Sequence, residues 1–202
     1  MADLSPAQQA LARKLGLDDR AELLLAALTH ASYANEAGAP CSYERLEFLG
    51  DALVDLAIGE ALFARFPEAA EGELARMRAG LVCEPALAKS AVDLGLDACA
   101  RLGRGEEEEG GRRRPALLCD LYEAVVAAHY LAHGWEATRR FVLHTQAAAL
   151  AELEGGAPAP KDAKAQLQEA CQARGEGVPV YRIVERGGPD HQPWFRAEVA
   201  VA

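Results

Sequence analysis

The feature that most constrains this sequence is a change of period near residue 154. Before it, apolar residues recur at helical spacing. After the run Glu154-Gly155-Gly156-Ala157-Pro158-Ala159-Pro160 they alternate, as in strands. That run of small residues and prolines has nothing to bury and reads as a linker. Upstream of it the chain is rich in Ala and Leu, the strongest helix formers, and only 6% of all residues are aromatic. Leu11, Leu15 and Leu17 lead to Leu23, Leu24 and Leu28, so residues 4–30 read as helices. Residues 34–41 contain Gly and Pro and read as a loop. A helix over about Ser42–Phe66 is stopped by Pro67, a second covers about Glu73–Val82, and a third follows Pro85 to about Leu94, ended by Gly95. Residues 103–114 form a charged, Gly-rich stretch whose Arg112, Arg113 and Arg114 either clamp phosphate or are simply solvated. Long helices are then expected over about Pro115–His133 and Trp135–Leu153. Beyond the linker, residues 161–174 read as a short amphipathic helix, and residues 178–186 and 193–201 as strands joined by a Gly-Gly-Pro-Asp turn. No internal repeat is visible.

Charge narrows the partners. The 202 residues carry a net charge of −10, which by itself argues against phosphate contact. Residues 161–202 hold six Lys and Arg against six Asp and Glu, so the whole excess lies in residues 1–160. An acidic domain can still act on nucleic acid if its carboxylates hold divalent cations, because the metal inverts the local field. The five cysteines are scattered with no CxxC pair, as expected for reduced thiols in a cytoplasmic protein. The first fifteen residues do not read as a signal peptide, and no stretch approaches the ~20 apolar residues of a membrane span.

Two groups of acids stand out. Glu47 and Asp51, four apart, share one face of the helix expected from Ser42, and Glu44 joins that face. Leu46, Leu49, Leu53 and Leu56 follow a different, apolar stripe. Like charges at this spacing repel, so either a cation compensates them or the face is simply solvated. Asp120 and Glu123, three apart, lie on a helix whose other residues are almost wholly apolar. Acids in such a setting are costly unless paired or metal-bound; an ion pair with Arg45 or Arg78 is the bland alternative. Two helices each giving two carboxylates can build the all-oxygen cage that Mg²⁺ prefers, a cage suited to metal-assisted phosphodiester hydrolysis. His30, with no neighbouring acid or Cys, reads as a structural hydrogen-bonder rather than a ligand.

Tyr43–Asp51 (YERLEFLGD) resembles the signature of bacterial ribonuclease III. Ala27–Tyr33, Glu71–Val82, Arg101–Gly105 and Asp120–Gly134 resemble further blocks of that family in the same order. The resemblance covers most of residues 10–150. It implies a mainly α fold: an all-helical endonuclease domain over residues 1–153, a linker over 154–160, and an α-β-β piece of a double-stranded-RNA-binding domain over 161–202. It implies a homodimer, with Phe48 and Leu49 at the interface, acting on double-stranded RNA with Mg²⁺, or with Mn²⁺ in its place. Glu47, Asp51, Asp120 and Glu123 fall on the family's metal-binding positions, with Asp51 and Glu123 as catalytic residues and Glu44 and Glu71 as supporting acids. In the tail, Gln168, Gln172 and His191 fall on RNA-contacting positions, while Ala165 stands where the family often has Thr. The sequence stops at Ala202 after the second expected strand, so the family's third strand and its Lys-rich helix are expected to be missing. The resemblance also implies 5′-phosphate and 3′-hydroxyl products and a role in rRNA and mRNA processing.

Two other classes compete. Catalytically inert, ribosome-associated relatives of the same fold lose carboxylates that this chain keeps. Helical di-metal proteins use Glu-x-x-His pairs, and neither acidic helix has one.

Overall fold

The computed structural model describes residues 4–155, 163–188 and 194–201. The chain divides into two compact units, residues 1–159 and 160–202.

In the first unit, α1 (Pro6–Leu15), α2 (Ala21–Ala27) and α3 (Ala31–Ala37) precede the long α4 (Glu44–Arg65). Then come α5 (Glu71–Val82), α6 (Glu84–Leu94), α7 (Leu96–Cys99), α8 (Arg104–Glu108), α9 (Pro115–His133), α10 (Trp135–Thr145) and α11 (Ala147–Glu154). Local chemistry sets several ends. Ser5 and Gln8 form a capping box on α1, and Gly16 closes it in a left-handed conformation. Prolines sit in the first turns of α6 and α9, where a missing N–H costs nothing.

Helix α9 is the axis of the core. Leu117, Leu118, Leu121, Tyr122, Val125, Val126 and Ala128 are buried on it, and α4, α6, α10 and α2 pack around it. A helix apolar on nearly all sides belongs at the centre of a layer. The inner stripe of α4 is Gly50, Leu53, Val54, Ala57, Ile58, Ala61 and Leu62. That differs from the stripe expected from sequence. Leu46 and Leu49 do pack against the core, but Leu56 is 57% exposed, because Ala57 takes the inward position one residue on. Leu49 is therefore turned inward, away from Phe48, which is 83% exposed.

Three further expectations are corrected. Residues 34–37 of the expected loop are helical, because His30 acts as the N-cap of α3. The helix expected over Trp135–Leu153 is broken at Gln146, which is buried and donates to Ser90 Oγ at 3.2 Å. The charged stretch 103–114 is structured: Arg112 donates to Glu107 (2.6 Å) and to the carbonyl of Asp97 (2.7 Å), and Arg114 pairs with Glu106 at 2.7 Å. Two of the three arginines are thus engaged inside the protein.

The second unit holds α12 (Ala163–Ala173) and an antiparallel pair, β1 (Val180–Gly187) and β2 (Trp194–Ala200). Tyr181 faces Val199 and Ile183 faces Ala197, and a bulge lies between Ile183 and Glu185. Cys171 is buried and Leu167 half-buried on α12, and Lys164 Nζ lies 5.3 Å from the Tyr181 ring centroid. Tyr181, Ile183, Phe195 and Val199, on the two strands, are all exposed. Among the described residues no helix is long and apolar enough to cross a membrane.

Candidate metal centre

Helices α4 and α9 meet where residue 50 has no side chain. A Cβ on Gly50 would overlap the backbone carbonyl of Glu123. Gly50 lies between Glu47 and Asp51 in sequence, so this close contact brings both acids near enough to bear on the charge of Glu123, although neither belongs to the compact group of ligand-capable atoms on α9. Glycine is required here for space rather than for backbone freedom.

On α9, ligand-capable atoms of Cys119, Asp120 and Glu123 lie within 4.8 Å of one another, a group able to hold a metal ion. The Cys119 thiol faces Glu123 Oε1 at 3.7 Å, and the Tyr43 hydroxyl donates to Asp120 Oδ2 at 3.3 Å. Across the contact, Glu47 is half-buried and Asp51 exposed. Electrostatics tie the four together. The carboxyl of Glu123 is pushed up to about 7, first by burial and then by Asp51, Asp120 and Glu47. Glu47 is shifted upward by burial, then by Asp120, Glu44 and Asp51. Asp120 is also shifted upward by burial, with the Tyr43 hydrogen bond and His30 opposing. Burial and the neighbouring Asp120 push the Tyr43 phenol well above its ordinary range, so it remains a donor. The charges that bear on Glu123 are all negative, and Arg78 pairs instead with Asp55, at 3.8 Å. The arginine pairing that would have made these acids merely structural is not what surrounds them.

The remaining sequence-derived residues fall elsewhere. Glu44 is exposed on the first turn of α4 and accepts from Ser42 Oγ at 2.6 Å. Glu71 opens α5 and lines a cavity of about 210 Å³ with Gly59, Leu62, Phe63, Leu74, Ala75 and Arg78. It is not among the groups acting on Glu123. His30 does serve a structural role: its Nδ1 accepts from the Ser32 N–H at 3.2 Å and lies 2.7 Å from Ser32 Oγ. Gln168 and Gln172 are exposed on α12; His191 lies outside the described residues. Sequence reasoning gave no role to Tyr43 or Cys119. Tyr43 adjoins the signature acids, but its contact spans 77 positions and leaves no local signal.

Fold and centre together define a class: helical proteins in which two packed helices each carry acids that bear on one another's charge. Comparison with known proteins narrows it. Residues 20–150 match the family model described as Ribonuclease-III-like. Ribonuclease 3 of Desulforamulus reducens is 45% identical over 179 residues, spanning 88% of this chain and 72% of that protein. Ribonuclease 3 of Azorhizobium caulinodans is 48% identical over 193 residues, spanning 94% and 80%. The solved nuclease domain of ribonuclease III from Campylobacter jejuni superposes with a TM-score of 0.62 at 39% identity, covering 67% of this chain and 92% of that one. The chain belongs to the ribonuclease III family, the double-stranded-RNA endoribonucleases, and is an enzyme of that class.

Proposed function

We propose that this enzyme cleaves duplex RNA with Mg²⁺, or Mn²⁺ in its place, held by Glu47, Asp51, Asp120 and Glu123, leaving 5′-phosphate and 3′-hydroxyl ends. The observation that supports the reading is that Glu123, packed against Gly50, is raised by burial and then by Asp51, Asp120 and Glu47, with Glu47 and Asp120 shifted in the same direction. Four acids gathered without a cation repel one another; their oxygen donors suit a hard divalent ion. When bound, such an ion activates water and stabilises the leaving oxygen. Asp51, exposed, is placed to meet substrate, while Glu123, half-buried, anchors the centre from α9. The inert-relative reading is disfavoured because no carboxylate of the four is missing.

The second copy is argued from α4. Phe48, Leu56 and Phe63 are 83%, 57% and 74% exposed on that helix, and Phe63 also lines the cavity that holds Glu71. A two-fold axis across this face would pair the stripe with itself, with Glu44 and Glu71 as supporting acids. The second unit presents Gln168 and Gln172 to RNA, with His191 as a third contact. A cytoplasmic setting and processing of rRNA and mRNA complete the proposal.

The test is Glu123→Gln, assayed on a duplex RNA with Mg²⁺. Turnover should fall by at least about 10²-fold, the scale on which a single charge-stabilising group acts, with the circular-dichroism spectrum unchanged. Wild-type turnover in this variant would sink the assignment.

A further inference from the structure

Among the described residues, Tyr43 is the one bonded to both halves of the centre. Its main chain starts α4: the carbonyl accepts from the N–H groups of Leu46 (2.7 Å) and Glu47 (2.9 Å). Its side chain reaches α9, donating to Asp120 Oδ2 at 3.3 Å. The residue itself is fixed. Its N–H donates to the carbonyl of Thr29 at 2.8 Å, its ring lies 5.7 Å from the His30 ring at a tilt of 56°, and only 3% of its surface is exposed. The Thr29–His30 segment is in turn bridged to Arg101, with the His30 N–H donating to the Arg101 carbonyl at 3.0 Å. A buried phenol on so braced a segment has little rotational freedom, so its hydroxyl defines where one oxygen of Asp120 must lie.

We propose that Tyr43 is a positioning residue for cleavage: by donating to Asp120 Oδ2 from a segment that also starts the Glu47 helix, it sets the Asp120 carboxylate in register with Glu47 across the α4–α9 contact. The inference rests on the reading of Glu47, Asp51, Asp120 and Glu123 as cation ligands. Hydrogen-bond partners that orient ligand side chains typically govern metal affinity by about 10–100-fold.

The experiment uses the full chain and three variants, Tyr43→Phe, Asp120→Asn and the double variant. Mn²⁺ affinity is read by isothermal titration calorimetry without RNA. Turnover and KM for duplex RNA are read at saturating Mg²⁺, and melting in EDTA. Tyr43→Phe keeps the ring and removes only the donor. It should weaken Mn²⁺ binding by about tenfold and lower kcat while leaving KM for RNA unchanged. In the Asp120→Asn background the same substitution should add nothing, because its route of action is already gone. This non-additivity can be read even if the single variant melts somewhat lower. Unchanged Mn²⁺ affinity in Tyr43→Phe, or a full extra loss in the double variant, would overturn the positioning role. If Asp120→Asn itself binds Mn²⁺ and cleaves like the wild type, the cation-ligand reading fails instead, and Tyr43 loses its role with it.

Discussion

At pH 8 without divalent cations, Glu123 must ionise among Asp51, Asp120 and Glu47. Its carboxyl titrates at about 7 when folded, against an ordinary 4.5. A group raised in this way lends stability below pH 4.5 and loses it as pH rises through 7; Glu47 and Asp120 shift in the same direction. Melting in EDTA should therefore fall between about pH 4.5 and 7 on account of these groups and level off above. Mg²⁺ at about a hundred times its dissociation constant should then add about 2.7 kcal/mol, or roughly 5–10 °C for a chain of this size. Glu123→Gln should melt higher than wild type in EDTA at pH 8 and respond less to Mg²⁺. If calorimetry finds no Mg²⁺ response in the wild type at that pH, these acids do not hold the ion. The four acids were legible in the sequence because spacing on two helices is a local property. The shifts were not, since they arise first from burial, and then from acids on the other helix, both of which come only with packing.

The contact between α4 and α9 makes a sharper demand. Gly50→Ala would set a methyl group against the backbone of Glu123, which has no rotamer by which to yield. The helices must part, at a cost of about 1–3 kcal/mol or more, and the carboxylates part with them. Gly72→Ala on α5 is the control: its Cβ would meet only the end of Arg76, at 3.7 Å, and should be neutral or stabilise by up to roughly 1 kcal/mol. Equal melting temperatures for the two variants would contradict the packing argument. Element boundaries show where local reading runs out. Helix α3 was hidden because its N-cap is a histidine rather than Ser, Thr, Asp or Asn, and the nearby Gly38 and Pro40 favoured a loop. The break between α10 and α11 has neither Gly nor Pro at its centre; buried Gln146, bonded to Ser90 on α6, marks it instead. Leu56 was assigned inward because a helical period tolerates either of two neighbouring positions, and only packing chose Ala57.

For the whole molecule, the exposed stripe of α4 implies self-association. Wild type should sediment as a dimer at micromolar concentration. Phe48→Ser, which removes the most exposed aromatic of the stripe, should shift it toward monomer. A wild-type monomer at that concentration would contradict the interface. The main-α architecture was readable from Ala and Leu content and the change of period near residue 154, whereas the exposed side of α4 was not: an outward Phe48 and an inward Leu49 are adjacent letters with opposite fates. The same adjacency has a consequence for mixed assemblies. Glu47 and Phe48 are neighbours on one helix, so under the proposed dimer each centre would lie beside the seam between copies, and each would sever one strand. Mixing wild type with Glu123→Gln copies should yield assemblies with one silent side, which nick a duplex without breaking it.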